Sequence, residues 1–200
     1  MARLVILGSS NAVNDATHDY THFLLIGERD TPVLVDAGSN PLGKIKDLGI
    51  DDEAVQDVIL THFHPDHVSG VPNMMMHMWL LGRKAPMRFY GLHHCINRTE
   101  DIMAAHGWQE WPNFFPVAFH RVSERFCAPV MENNDFRITA WPVKHFVPTI
   151  GLRIENKDWN NQNWVRRMSV EPVEGEVERV TPPRRWVRPA EHCSRWPQAW

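Results

Sequence analysis

Three histidines and one aspartate occur within six residues of one another, at positions 62, 64, 66 and 67. Imidazole nitrogens are common zinc ligands, and a carboxylate beside them also suits manganese or iron. His62 and His64 directly follow residues 55–60 (VQDVIL), which predict a buried strand. Residues two apart in an extended chain project to the same side, so we expect both imidazoles to converge.

The two remaining groups follow a proline that favours the end of the strand. Pro65 has no backbone N–H for a sheet hydrogen bond, so Asp66 and His67 are expected on the turn into the next helix. There they face the same space as the two preceding histidines. The pattern H-x-H-x-D-H therefore predicts a site for one or two divalent ions, whereas His106, an isolated histidine, is interpreted as an ordinary residue.

Residues 1–155 contain the elements that must position these groups, and their pattern is typical of an α/β protein. Short apolar runs bounded by turn residues predict strands, and apolar residues at helical spacing predict helices. Early strands alternate with helices and later strands follow one another, which favours sheets flanked by helices. The predicted strands are 3–7, 22–27, 32–36, 55–60, 87–92, 119–123, 126–130, 136–143 and 150–154, and the predicted helices 40–48, 68–83 and 98–106.

The composition changes after residue 155. Residues 156–200 contain no Leu, Ile or Phe, but five of the nine Trp and many Arg and Pro. A segment without those apolar side chains has difficulty forming a core, so we expect an atypical, irregular tail.

Charge and hydropathy exclude several classes of function. A net charge of −3 gives no chain-wide attraction for nucleic acid or an anionic membrane, so any such binding must rest on a local patch. The longest apolar run, residues 74–81, contains His77 and is too short to cross a bilayer. The apolar stretch in MARLVILGSS is too short for a signal peptide. We therefore expect a cytoplasmic protein without membrane contact.

The histidine motif and its setting resemble the metallo-β-lactamase fold superfamily of metal-dependent hydrolases. Within it, the chain is most similar to ribonuclease Z and its phosphodiesterase relatives, over about residues 3–155. Besides the motif itself, the stretches that carry the resemblance are Leu7–Ala12, Leu34–Gly38, Ser69–Pro72, Leu80–Arg83, Phe89–Gly91, Pro142–His145 and Gly151–Ile154.

The resemblance implies a fold and a set of ligands. The expected fold is an αββα sandwich that is incomplete at its C-terminal end. His62, His64 and His145 would hold a first zinc ion, and Asp66 and His67 would belong to a second. Asp36 would steady the loop, since metal-binding histidines commonly need an oxygen partner on their other nitrogen, although a turn-capping aspartate before Gly38 is an equal alternative.

The resemblance also implies an activity. A zinc-activated hydroxide, oriented by Asp66, would cleave a phosphodiester, either in a small substrate or in RNA, as in the endoribonuclease reaction that trims the 3′ end of tRNA precursors. One alternative keeps the fold but has a lactone, thioester or other small ester as the substrate. Another is a weak or inactive fragment that acts at most as a binding module.

Parts of the family pattern are missing from this sequence. The bridging aspartate and a further histidine normally come from the second half of the chain, and residues 156–200 do not supply them recognisably. The tail is then either an altered or out-of-frame second half, or part of a short variant whose ligands come from the tail or a partner subunit. An incomplete sandwich exposes an unpaired edge, so a homodimer is a further expectation.

Overall fold

The structure is a computed structural model that describes residues 2–157 and the backbone of residues 167–168. Most of the segment expected to be irregular, residues 158–166 and 169–200, lies outside the described residues. None of the described helices is long and apolar enough to cross a bilayer. The strands are β1 (Arg3–Gly8), β2 (His22–Ile26), β3 (Val33–Val35), β4 (Asp57–Ile59), β5 (Met87–Leu92), β6 (Val117–Val122), β7 (Ala128–Glu132), β8 (Phe136–Val143), β9 (Thr149–Asn156) and β10 (Arg167–Met168).

The helices lie between the strands of the first half of the chain. They are α1 (Pro41–Asp47), α2 (Pro65–Val68), α3 (Val71–Leu80) and α4 (His93–Ala105), with a short 3₁₀ helix at Trp108–Glu110. Where the sequence predicts one helix over residues 68–83, the structure has the end of α2 and then α3, with Gly70 between them. Helix α4 begins five residues before the predicted position, because the buried residues Cys95 and Ile96 already belong to its inner face.

Six strands form the first sheet, in the order β1-β2-β3-β4-β5-β6. The first two pairings are antiparallel, and β3 to β6 run parallel. All three residues of β3 and all three of β4 are buried, as expected for central parallel strands covered on both faces. The carboxyl ends of β3, β4 and β5 therefore meet at one edge of the sheet, the edge where the histidine motif begins.

The second sheet is antiparallel, in the order β10-β9-β8-β7. Its longest pairing joins β8 to β9 in register from Phe136 opposite Asn156 to Val143 opposite Thr149. Buried residues alternate with more exposed ones through the first half of β8, which is the pattern of a strand with one face on a core. The connection between β8 and β9 carries His145.

These elements pack in layers around two hydrophobic cores. One core lies between the helices and the first sheet and contains Leu34, Ile45, Met74, Phe89 and Ile96. The other lies between the two sheets and contains Phe23, Val35, Ile59, Phe136, Ile138 and Leu152. Helices, first sheet and second sheet thus form three layers of the expected sandwich. No helix covers the outer face of the second sheet within the described part of the chain.

A buried carboxylate ties the two sheets together at the end away from the histidines. Asp135, before β8, is fully buried and accepts hydrogen bonds from the backbone N–H groups of Arg29 (3.0 Å) and Asp30 (2.7 Å), between β2 and β3. Burial alone raises the pKa of this carboxyl, but the hydrogen bonds from Asp30 and Arg29 together outweigh it and lower the pKa. This contact helps to set the position of the second sheet, and hence of His145, against the first.

Candidate metal centre

His62 and His64 extend from the end of β4 toward the second sheet. The backbone N–H of Leu60 donates to the carbonyl of Tyr90 (2.8 Å), which continues the β4–β5 pairing up to the motif. The backbone N–H of Ile150, in β9, donates to the carbonyl of Thr61 (3.1 Å). His64 is still extended, with φ −112° and ψ 152°, and precedes Pro65, the first residue of α2. The expected change from strand to helix at Pro65 is therefore present.

Three imidazoles converge at this edge. Nδ1 of His64 lies 3.1 Å from Nε2 of His62 and 3.1 Å from Nε2 of His145. Their ligand atoms all lie within 4.8 Å of one another, although His145 follows His64 by 81 residues. Three imidazole nitrogens facing one point are the donor set of a His₃ zinc site, so the side chains present fit a divalent ion of the zinc class.

The surroundings favour the neutral form of the His62 and His145 imidazoles. His62 is 3% exposed, and burial, together with the neighbouring His67, His145 and His64, lowers its pKa to about 3. Burial also lowers the pKa of His145, and the nearby His64 and His67 lower it further. Neutral imidazoles are the form that binds a metal ion.

Asp66 and His67 form a second group beside the three histidines. Nε2 of His67 lies 3.3 Å from Oδ2 of Asp66, and the His67 ring centroid lies 4.0 Å from that of His62. Burial alone lowers the pKa of His67, but the hydrogen bond to Asp36 and the charges of Asp36 and Asp66 together raise it. Of the five residues predicted as ligands, the structure brings three into one cluster and places the other two next to it as a pair.

Asp36 joins the end of β3 to both parts of the motif. Its carboxylate accepts hydrogen bonds from the Thr61 backbone N–H (2.8 Å), the Thr61 hydroxyl (2.8 Å) and Nδ1 of His67 (2.7 Å). Its φ of 60° lies in the left-handed region, which costs energy for a residue with a side chain. The carboxylate thus serves as the oxygen partner of His67.

Thr61 is a further residue of the candidate site, one that the sequence had not singled out. The Thr61 hydroxyl uses its single proton to donate a hydrogen bond to the Asp36 carboxylate. Its oxygen therefore accepts a hydrogen bond from Nδ1 of His62, at 3.0 Å. This arrangement leaves the lone pair of His62 Nε2 facing His64. The sequence signal was available, because Thr61 directly precedes the histidines at the end of the buried strand.

Two glycines allow the loop after β3 to pack against α2, backbone on backbone. The N–H of Ala37 donates to the carbonyl of His67 (2.7 Å), and the N–H of Gly70 donates to the carbonyl of Ala37 (2.7 Å). A Cβ on Gly38 would lie 1.6 Å from the Asp66 carbonyl oxygen, and a Cβ on Gly70 would lie 1.5 Å from that of Ser39. A side chain at either position would push the loop and the motif apart.

Residues 2–158 match the family model described as Anti-Pycsar protein Apyc1. The chain belongs to the Apyc1 family. Among curated proteins, it is 28% identical over 164 residues to ribonuclease Z of Methanothermobacter thermautotrophicus, covering 78% of this chain and 49% of the relative. It is 26% identical over 157 residues to ribonuclease Z of Bacillus licheniformis, again covering 78% and 49%. This member of the Apyc1 family spans about half the length of the curated relatives it matches.

Solved structures show the same fold. The short form of human tRNase Z superposes with a TM-score of 0.64 at 15% identity, covering 79% of this chain and 66% of that one. The metallo-β-lactamase fold protein YhfI from Bacillus subtilis superposes with a TM-score of 0.59 at 20% identity, covering 76% and 58%. These matches confirm the expected metallo-β-lactamase fold and the likeness to ribonuclease Z, whereas the motifs had not singled out the Apyc1 family.

The close approach at Gly70 leads to a stability prediction with a matched control. Gly70→Ala must displace the Ser39 carbonyl and should cost at least about 2 kcal/mol in the free energy of unfolding. Gly43→Ala is the control, because a Cβ there meets nothing within 4 Å. Since Gly43 lies inside α1, alanine should be neutral or stabilise by up to about 1 kcal/mol. Urea unfolding of both variants measures the difference, and equal midpoints would contradict the packing described.

Proposed function

We propose that the protein is a metal-dependent hydrolase of phosphodiester bonds. The observation that carries the proposal is the placement of His64 Nδ1 at 3.1 Å from Nε2 of both His62 and His145. When bound, a divalent ion neutralises charge on the phosphoryl oxygens and lowers the pKa of water, which are the two demands of phosphodiester hydrolysis.

Each side chain then has a distinct part in the proposal. His62, His64 and His145 hold the first ion, and Asp66 and His67 bind at a second position beside it. The Asp66 carboxylate accepts a hydrogen bond from the attacking water and so orients it toward phosphorus. Asp36 positions His67 through the 2.7 Å hydrogen bond to Nδ1, which leaves Nε2 directed toward Asp66.

Zinc is the ion that we propose, in one or two copies. Three imidazole ligands suit zinc best, and the Asp66 carboxylate of the second position also suits manganese or iron. Since Asp66 and His67 supply only two side chains, the second ion needs further ligands, from outside the described residues or from solvent.

RNA is the substrate class that the named relatives support. The similar curated proteins are called ribonuclease Z, and one solved neighbour is called tRNase Z. We therefore propose as substrate either a tRNA precursor, cleaved by an endoribonuclease reaction near its 3′ end, or a small phosphodiester. The protein is further proposed to work in the cytoplasm, where tRNA precursors are accessible to it.

Hydrolysis of a simple substrate tests the proposed reaction. The zinc-loaded protein should release nitrophenolate from bis(p-nitrophenyl) phosphate, and His145→Ala should reduce the rate about 100-fold or more by removing a ligand. His106→Ala is the control, because His106 is exposed at the end of α4, away from the cluster.

The same preparations distinguish the alternatives. Cleavage of a thioester or lactone without cleavage of the phosphodiester would identify a small-ester hydrolase instead. No turnover of any of these substrates by the zinc-loaded chain would identify a catalytically inactive fragment. A tRNA precursor incubated in parallel separates an RNA-processing enzyme from one restricted to small phosphodiesters.

A homodimer is also proposed, from the edge of the first sheet. Strand β1 is an outer strand of that sheet, and its apolar residues Leu4 and Ile6 are 41% and 52% exposed. Among the described residues the outer side of β1 has no partner strand, and an apolar edge of this kind favours pairing with a second copy. Sedimentation velocity should show a dimer that Ile6→Glu dissociates, and a wild-type monomer at micromolar concentration would contradict the proposal.

A further inference from the structure

Phe146 is the most exposed large apolar side chain of the described residues. It is 93% exposed and directly follows His145 in the connection between β8 and β9. Its ring centroid lies 5.6 Å from that of His145. A phenyl ring is therefore displayed to solvent at the rim of the metal centre, where its contact with water is unfavourable.

The conformation of the connection imposes this exposure. His145 is turned inward, with Nε2 at 3.1 Å from His64, and the next residue points away from the cluster. On the other side, the Thr149 hydroxyl donates a hydrogen bond to the carbonyl of Val147 (2.8 Å), and the backbone N–H of Ile150 donates one to the carbonyl of Thr61. Because these contacts hold the residues on either side of it, Phe146 lies beside the three histidines.

Phe63 shows that an aromatic ring next to the histidines is not exposed by necessity. It lies between two of the histidines in sequence, but its ring packs against the first core. It meets His94 edge to face at 6.4 Å and lies under the Arg98 guanidinium at 5.9 Å. For Phe146, the one ring contact within the described residues is that with His145.

We propose that Phe146 is a specificity-determining residue that stacks on the base of a nucleotide whose phosphate lies at the metal centre. The inference rests on the proposed phosphodiesterase function and names the feature of the substrate that this site selects. Every base has a π face, so stacking distinguishes nucleotides from other phosphate esters without selecting one base. Lys144, two residues earlier and also exposed, adds a positive charge to the same rim.

Two ligands that differ only in the base test this proposal by binding. Calorimetric titration of the zinc-loaded protein with adenosine 5′-monophosphate should give an affinity about tenfold higher than with ribose 5-phosphate. Phe146→Ala should bind the nucleotide no more tightly than the sugar phosphate, and Phe146→Tyr should restore the preference. The affinity for ribose 5-phosphate should stay the same in all three proteins.

Leu81→Ala is the matched control, because Leu81 is 57% exposed but lies beyond the end of α3. There it neighbours Arg83, whose guanidinium contacts the backbone before β4 rather than the motif after it. Its removal should leave the preference for the nucleotide unchanged. A Phe146→Ala protein that retains the preference, or a wild-type protein that binds both ligands equally or neither, would overturn the proposal.

A test of the proposed hydrolase function is separate from the test of Phe146. Hydrolysis of bis(p-nitrophenyl) phosphate by the wild-type protein reports on the reaction, whereas the difference between the two ligands reports on Phe146. A protein that shows the preference but does not hydrolyse phosphodiesters would support base stacking and contradict the enzyme.

Discussion

The carboxylate of Asp36 makes the hydrogen bonds on which the geometry of the candidate metal centre depends. It receives one from the Thr61 backbone, one from the Thr61 hydroxyl and one from His67. Through Thr61 it acts on His62, whose Nδ1 lies 3.0 Å from the hydroxyl. One buried side chain at the end of β3 therefore orients residues on both sides of Pro65, and it does so from a left-handed backbone conformation that is costly for aspartate.

Two of the neighbouring histidines, His62 and His67, differ in the direction of their pKa shifts. His62, deeply buried and surrounded by other imidazoles, has a pKa near 3. The ring of His67 lies 4.0 Å from that of His62, but its pKa is raised. The cause is that Nδ1 contacts the carboxylate of Asp36 and Nε2 lies close to that of Asp66. The carboxylates of Asp36 and Asp66 thus lie beside His67, whereas the neighbours of His62 that lower its pKa are imidazoles.

The sequence was most informative where the chemistry is local. The convergence of His62 and His64 followed from the period of a strand, and the change of direction at Pro65 followed from the missing N–H. His145 lies 81 residues from His64, and periodicity relates no residues so far apart, so it was identified only through the family resemblance.

Other features could not be predicted because they depend on packing between distant elements. Asp36 had two equal interpretations, since its partners come from a different strand and a different helix. The exposure of Phe146 depends on how the β8–β9 connection packs against the first sheet. The start of α4 was misplaced because its first turn carries two histidines and no capping residue.

The proposed chemistry requires that the three converging imidazoles bind an ion. Mass spectrometry of the purified protein, reconstituted with zinc and then dialysed, measures metal content per chain. We predict at least one ion in the wild-type protein and its loss in a folded His64→Ala variant, since His64 lies 3.1 Å from both other histidines. A wild-type chain without bound metal, or a variant that retains the full content, would contradict the account.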